Sequence, residues 1–237
     1  MATVMTYAKM SDAVYDDDPQ VPGWSRLGFK KSGSGVTDAF QGAAFRSGAD
    51  VVFAFKGTSQ GRDVVADVKL GVGMNTYQYS SAMDFVGSTT IPPNSQVSVC
   101  GHSLGGAIAQ IVGNRLRLPF ITFNAPGVGL VSRNVGEVAA TIGLGTIALR
   151  TLGTVASAAM HPIQAAQDAA ALGYRVRGAN FRLGQDVVGS IGVHYGKVIV
   201  ITYSGGAMDV LTKHKMTSMI AALQSSKYRD MPLDAVV

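Results

Sequence analysis

The sequence predicts an α/β fold, a mostly parallel β-sheet with helices on its faces. Residues 51–55 and 97–100 are runs of uncharged, mainly β-forming side chains, as in strands that are buried on both faces of a parallel sheet. Such runs alternate with stretches of helical apolar spacing, which is the pattern of a sheet covered by helices. At 237 residues and 47% hydrophobic composition, the chain is predicted to form one domain, residues 1–237.

The other elements follow from apolar periodicity and turn residues. Residues 1–18 have an apolar helical face that ends at an acidic run and Pro19, which predicts a first helix. Several Pro and Gly residues predict a loop over 19–35. A helix is predicted from Leu104, directly after the second strand. Further strands are predicted at 120–123, 175–181 and 197–203.

Charge and cysteine content limit the partners and the compartment. The net charge of +5 comes from scattered Lys and Arg, which favours a modest attraction to anionic membranes. No zinc motif or aromatic RNA-binding pattern accompanies them, so nucleic-acid binding is not expected. The single Cys100 excludes an intramolecular disulfide. The N-terminus lacks the pattern of a classical signal peptide, which predicts cytoplasmic residence or export by a specialised secretion system.

Residues 131–173 form an unusually apolar segment, predicted to be a helical insertion within the domain. Arg150 is the only Lys, Arg, Asp or Glu between residues 138 and 167, and Pro162 interrupts the segment again. The uninterrupted pieces are shorter than the roughly 20 residues that a membrane-spanning helix needs. Buried helices are therefore favoured, with a mobile, lipid-facing cap and a membrane span as the alternatives.

The segment Gly101-His102-Ser103-Leu104-Gly105 fits G-x-S-x-G, the sharp strand-to-helix turn that presents a nucleophilic serine. A predicted strand precedes it and a predicted helix follows it, as this turn requires. The alternative is a phosphate-binding helix N-terminus, but neither of the common phosphate-loop motifs occurs at this turn. Ser103 is therefore the predicted nucleophile of an α/β-hydrolase fold.

A serine nucleophile needs a histidine base and a carboxylate, which follow it in the order Ser, acid, His in this fold. His214 is favoured because it lies directly ahead of a C-terminal helix, with His194 and then His161 as alternatives. Asp186 is favoured because it follows a predicted strand. The other carboxylates between Ser103 and His214 are Glu137, Asp168 and Asp209.

The transition state of ester cleavage also needs two donors aimed at the developing oxyanion. The backbone N–H of Leu104, which follows the nucleophile, is one predicted donor. Thr58 is the other, because it lies just beyond the strand at 51–55 and offers both a backbone N–H and a hydroxyl. The alternative for Thr58 is an ordinary turn.

Five segments together resemble the class 3 lipase family, the triacylglycerol and phospholipid hydrolases typified by fungal lipases. Residues 101–107 match the family's G-H-S-L-G-G-A elbow without a change, and the other four are residues 8–15, 51–67, 123–129 and 180–188. The resemblance implies a Ser103, Asp186 and His214 triad with Thr58 and Leu104 at the oxyanion hole. Departures from the family are a Gly-rich segment at 63–79 where its lid normally lies, the absence of the fungal disulfides, and the apolar residues 131–173.

These observations predict a carboxylic ester hydrolase that acts on lipids, a phospholipase A or a triacylglycerol lipase, through an acyl-enzyme. The predicted chemistry uses no metal or cofactor. The alternatives are a non-catalytic lipid- or partner-binding module and an acyltransferase of the same fold. The resemblance further suggests a bacterial lipase effector delivered into rival cells, although the sequence names no immunity or secretion partner.

Overall fold

A computed structural model describes residues 1–33, 39–57, 76–128, 176–184, 186–202 and 210–237 of the chain. In these residues the strands form a seven-stranded sheet in the order β1 to β7. The first three strands pair antiparallel, and β3 to β7 pair parallel. The strands are β1 (Ser25–Ser32), β2 (Phe40–Ser47), β3 (Asp50–Phe55), β4 (Gln96–His102), β5 (Phe120–Phe123), β6 (Gly178–Leu183) and β7 (Lys197–Ile201).

Helices cover both faces of the sheet. One hydrophobic cluster joins α1 and α5 to one face, and a second cluster joins α2 and α3 to the other. In β3, Val52 and Ala54 belong to the first cluster, whereas Val51, Phe53 and Phe55 belong to the second, as expected for a central strand. The helices are α1 (Val4–Ala13), α2 (Thr76–Ser88), α3 (Leu104–Leu116), α4 (Val210–His214), α5 (Met216–Gln224) and α6 (Leu233–Val236).

The parallel strands bring their carboxyl ends to one edge of the sheet. Phe55 at the end of β3 pairs with Gly101 of β4, and Phe123 at the end of β5 pairs with His102 and with Phe181. Ligand and catalytic groups of open α/β sheets lie at this edge. The segments that follow β3, β4, β5 and β6 therefore converge on one place.

The predicted α/β class and the central strands are confirmed, but the N-terminal third differs from the prediction. The loop predicted over 19–35 was wrong, since β1 occupies Ser25–Ser32. Charged residues obscured β1 because it is an edge strand that is exposed on part of its surface. The first helix ends at Ala13, so residues 14–18 are a turn and bend.

Strand β2 was not identified from the sequence because it contains Gly42, Ala43 and Ala44, which are poor strand formers. The structure gives a packing reason for Gly42. A Cβ on Gly42 would lie 3.0 Å from the ring of Phe40 and 3.2 Å from the ring of Phe85. The rings of Phe40 and Phe85 therefore fill the space that a side chain at position 42 would need.

The predictions for residues 131–173 and for most of 63–79 lie outside the described residues. Among the helices that are described, none combines the length and apolar character needed to cross a membrane. Cys100 is a buried free thiol.

Candidate active site

Ser103 lies at the turn between β4 and α3. Its backbone has φ +57° and ψ −129°, a conformation that is uncommon for a residue with a side chain. Its N–H donates to the carbonyl of Phe123 at 3.0 Å, which ties the turn to the neighbouring strand β5. The turn has the strained geometry that the G-x-S-x-G pattern predicts, and it holds Ser103 at the carboxyl edge of the sheet.

Gly101 and Gly105 lie so close to neighbouring backbone that neither position has room for a side chain. A Cβ on Gly101 would lie 2.3 Å from the carbonyl oxygen of Gly105, and a Cβ on Gly105 would lie 2.1 Å from the carbonyl oxygen of Phe55. Both contacts are with backbone, which cannot move aside like a side chain. Helix α3 can therefore approach β3 and β4 this closely only when both positions lack a side chain.

We expect Gly105→Ala to destabilise the fold by about 2–3 kcal/mol, because the added methyl group overpacks against backbone. Gly87→Ala is the matched control, since Gly87 lies in α2 and a Cβ there meets nothing within 4 Å. That control is expected to be neutral or stabilising by up to about 1 kcal/mol. Chemical denaturation of both variants measures the difference, and equal stabilities would contradict the close helix–strand approach.

Ser103, His214 and Asp186 form a hydrogen-bonded chain. The Ser103 Oγ lies 2.8 Å from His214 Nε2, and His214 Nδ1 lies 2.9 Å from Asp186 Oδ1. A carboxylate accepts hydrogen bonds, so Nδ1 carries the proton and Nε2 is free to accept from the serine hydroxyl. All three residues are buried. The arrangement fits a serine nucleophile with an oriented base.

The Asp186 carboxylate is held by its own loop. Its second oxygen, Oδ2, accepts the N–H of Gly189 at 2.7 Å, and its backbone carbonyl accepts the hydroxyl of Ser190 at 2.8 Å. Gly189 and Ser190 belong to the 3-10 turn Val188–Ser190. Both carboxylate oxygens therefore have a donor, which fixes the plane of the carboxylate toward His214.

A second layer lies beneath His214. The hydroxyl of Tyr15 is 2.9 Å from His102 Nδ1, and His102 Nε2 is 2.7 Å from the carbonyl oxygen of His214. A carbonyl only accepts, so His102 donates through Nε2 and accepts the Tyr15 hydroxyl proton at Nδ1. Burial, with a smaller effect from His214, lowers the pKa of His102 to about 3. His102 is therefore a neutral side chain that holds the backbone of His214.

The buried His102 predicts a specific dependence of stability on pH. An unfolded histidine has a pKa of about 6.5, so between about pH 6.5 and 3 the unfolded chain binds a proton that the folded chain does not. Stability should fall as pH is lowered through this window, by up to about 1.4 kcal/mol per pH unit from this group. His102→Gln removes the group, so urea unfolding should show a smaller loss of stability on acidification. Equal losses in both proteins would contradict the prediction.

Two backbone segments adjoin Ser103 where an oxyanion would form. Leu104 begins α3, and no backbone carbonyl in the described part of the chain accepts its N–H. On the other side, a Cβ on Gly57 would lie 3.1 Å from the Ser103 Cβ, so the end of β3 reaches the nucleophile. The predicted second donor, Thr58, directly follows Gly57 but lies outside the described residues. One predicted donor, Leu104, therefore lies beside Ser103, and so does Gly57, the residue that precedes the other predicted donor.

Comparison with known proteins gives the family. A profile of the Tle-like phospholipase domain, of the phospholipase-like group, matches residues 6–217. The chain belongs to the Tle-like phospholipase family. The match covers most of the chain, so the predicted relationship to lipases and phospholipases is confirmed. This family and the mostly parallel sheet are consistent with the predicted α/β-hydrolase fold.

Individual proteins are similar to parts of this Tle-like phospholipase domain. "Extracellular phospholipase A1" of Serratia liquefaciens is 31% identical over 105 residues, which is 43% of this chain and 33% of that protein. The chain thus spans about a third of that relative. A fungal lipase crystal structure covers 89% of this chain and 82% of that chain at 13% identity and a TM-score of 0.45. The crystal structure of the lipase from Rhizopus microsporus var. chinensis aligns with 86% of this chain and 74% of its own chain, at 16% identity and a TM-score of 0.41.

The alternative candidates for the catalytic histidine and carboxylate in this Tle-like phospholipase domain are His194 and four further residues. His194 donates to the carbonyl of Ala125 at 2.8 Å through Nε2, and burial lowers its pKa. His194 therefore holds the backbone after β5 and takes no part in the chain of hydrogen bonds from Ser103 to Asp186. The remaining alternatives lie outside the described residues; they are His161, Glu137, Asp168 and Asp209. No cluster of three or more His, Cys, Asp or Glu suited to a metal occurs within the described ranges.

Sequence reasoning missed three residues that support the hydrogen-bonded chain. Tyr15 and His102 form the layer beneath His214, and Asn124 contacts the backbone of the same residue. His102 is part of the G-x-S-x-G segment, so its position was visible but its role was not. Asn124 directly follows β5, and its place at the carboxyl end of a strand was the available signal.

Proposed function

We propose that this Tle-like phospholipase domain hydrolyses carboxylic esters of lipids, with phospholipids as the first substrate class. The observation that carries the proposal is the chain of hydrogen bonds from Ser103 through His214 to Asp186. Membership of a phospholipase family and the similarity to a protein named phospholipase A1 support the substrate class. The triacylglycerol lipase activity also predicted from the sequence is the second activity to test.

In the proposed reaction, the Ser103 oxygen attacks the ester carbonyl while His214 Nε2 takes its proton. Asp186 stabilises the imidazolium that forms and keeps its Nδ1–H oriented. His214 then protonates the leaving alcohol, which departs and leaves an acyl group on Ser103. Water, deprotonated by His214, attacks this acyl-enzyme, and Ser103 regains its proton as the fatty acid leaves.

The oxyanion formed in both steps needs fixed donors. We assign this role to the backbone N–H of Leu104 and to Thr58, which follows the strand end beside Ser103. Backbone N–H groups at a helix N-terminus carry partial positive charge, which favours a developing anion. Losing one such donor typically costs roughly 10²–10³ in kcat.

The net charge of +5 supports peripheral contact with anionic membranes, where such a substrate would lie. Export by a specialised secretion system and action as an effector remain proposals of the same kind. Secretion-dependent appearance of the protein outside intact cells would support them, and strict retention would contradict them.

The deciding experiment measures fatty-acid release from phosphatidylglycerol vesicles and from triacylglycerol micelles. Release from phospholipid supports a phospholipase, and exclusive release from triacylglycerol supports a lipase. A parallel incubation with glycerol or lysolipid identifies an acyltransferase, which would give acylated alcohol in preference to free acid. Absence of release, together with absence of labelling by a fluorophosphonate, would favour the non-catalytic binding module, because that probe reacts with activated serines.

A further inference from the structure

Asn124 has a positive φ, a backbone conformation that is unfavourable for most residues with a side chain. It directly follows β5, is fully buried, and has φ +44°. Glycine adopts positive φ without steric cost, whereas a residue with a side chain does so uncommonly. The Asn side chain is therefore expected to form interactions that compensate for the strained backbone.

The Asn124 amide joins two segments that come from different parts of the chain. Its Oδ1 accepts the N–H of Leu183 at 3.0 Å, at the end of β6. Its Nδ2 donates to the carbonyls of Lys213 at 3.1 Å and His214 at 3.2 Å, at the end of α4. If the amide were turned over, its NH₂ group would face the N–H of Leu183 and its oxygen would face the two carbonyls. Neither pair could form a hydrogen bond, so the partners fix the orientation of the amide.

These two segments carry the base and the acid. The N–H of Asp186 donates to the carbonyl of Leu183 at 3.0 Å, so Asn124 holds the strand end to which the acid loop is attached. Gly189, whose N–H donates to the Asp186 carboxylate, also packs against Asn124. A Cβ added to Gly189 would lie 3.4 Å from the Asn124 Cα. On the other side, Asn124 holds the backbone of His214 itself.

The carbonyl of His214 is fixed from two directions. It accepts from Asn124 on the β5 side and from His102 Nε2, at 2.7 Å, on the β4 side. His102 immediately precedes Ser103. Asn124 immediately follows β5, and the carbonyl of Phe123 at the end of β5 accepts the Ser103 N–H. The His214 backbone is thus held to both strands that position the nucleophile.

We propose that Asn124 is a positioning residue for the hydrolase reaction: its amide sets the separation between the Asp186 loop and the His214 backbone, and so aligns the imidazole with both partners. The inference rests on the proposed function of Ser103, His214 and Asp186. It adds a residue that touches neither substrate nor reacting atoms. Misplacement of a catalytic group by about 1 Å can cost roughly 10²-fold in rate, so loss of the amide should reduce turnover.

The test variant is Asn124→Gly, which removes the amide and also relieves the positive φ. We expect kcat for phosphatidylglycerol hydrolysis to fall about 10–100-fold with KM within about threefold, because substrate binding is not altered. The rate of fluorophosphonate labelling of Ser103 should fall in parallel. The proton NMR signal of the His214 Nδ1–H that is hydrogen bonded to Asp186 should shift or broaden.

Asn180→Ala is the matched control. Asn180 is also a buried amide, which donates to the carbonyls of Tyr195 and Lys197 and accepts the Thr122 hydroxyl, so the same number of hydrogen bonds is lost. The control should lose thermal stability but keep kcat within about threefold per folded molecule. If Asn124→Gly loses no more kcat than Asn180→Ala, the positioning role is overturned.

Asn124→Asp provides a second route if the glycine variant does not fold. It keeps the size and the acceptor for Leu183 but replaces the amide nitrogen that faces the Lys213 and His214 carbonyls. A fall in kcat and in labelling rate supports the proposal, and retained kcat overturns it. Failure of wild type to react with the fluorophosphonate would instead overturn the proposed function, so the two failures are distinguishable.

Discussion

Ser103→Ala is expected to abolish lipid ester hydrolysis, with kcat lower by roughly 10⁵–10⁶-fold. The variant keeps the fold, because Ala has the smaller side chain and the turn is held by backbone contacts such as the Ser103 N–H to the Phe123 carbonyl. It loses the oxygen that lies 2.8 Å from His214 Nε2, and with it the acyl-enzyme route. Removing a serine nucleophile from such a chain typically costs on the order of 10⁶ in kcat. Fatty-acid release and fluorophosphonate labelling both measure the loss.

Ser98→Ala is the control for this experiment. Ser98 is a buried serine of β4, the strand that precedes Ser103, and its hydroxyl lies 2.8 Å from that of Tyr7 and outside the hydrogen-bonded chain to His214 and Asp186. It should retain labelling and activity within a few fold. If Ser103→Ala keeps more than a few per cent of wild-type release, another group is the nucleophile and the proposed mechanism is wrong.

The elbow was predictable because the small residues that it requires stand at fixed spacing in one short stretch of sequence. A Cβ on Gly101 would clash with Gly105, and a Cβ on Gly105 would clash with Phe55 of the neighbouring strand, so both packing constraints are visible as glycines on either side of Ser103. The central strands β3, β4 and β5 were predictable for a similar reason. Each is a short strand that is buried on both faces beyond its first one or two residues, and Asp50 at the start of β3 is the one Asp, Glu, Lys or Arg among these three strands.

The supporting contacts were not predictable, since they join residues far apart in the chain. Tyr15 meets His102, and Asn124 meets both Leu183 and His214, only after the strands are ordered in the sheet. The N-terminal hairpin was missed for a different reason. Strand β1 is partly exposed and charged, and β2 contains Gly42, Ala43 and Ala44, so neither shows the usual strand pattern.

The prediction with the second largest expected effect is a loss of roughly 10⁴ in kcat for Asp186→Asn. Oδ2 of Asp186 accepts the N–H of Gly189 at 2.7 Å, so the one remaining carbonyl oxygen of Asn should keep that hydrogen bond. Its NH₂ group then faces His214 Nδ1, which must accept rather than donate. The imidazole proton moves to Nε2, which faces the Ser103 oxygen and can no longer take its proton. A triad with the wrong tautomer typically loses about 10⁴ in kcat although its geometry is kept.

Asp234→Asn tests whether this loss is specific, because Asp234 is an exposed carboxylate paired with Arg177 and takes the same chemical change. It should leave kcat unchanged within about twofold, as expected for a surface ion pair. Asp186→Asn should also leave KM nearly unchanged, since the carboxylate acts on the base and not on the lipid. Activity above a tenth of wild type in Asp186→Asn would mean that another group orients His214. The buried contact of 2.9 Å between His214 Nδ1 and Asp186 would then contribute to the fold and not to proton transfer.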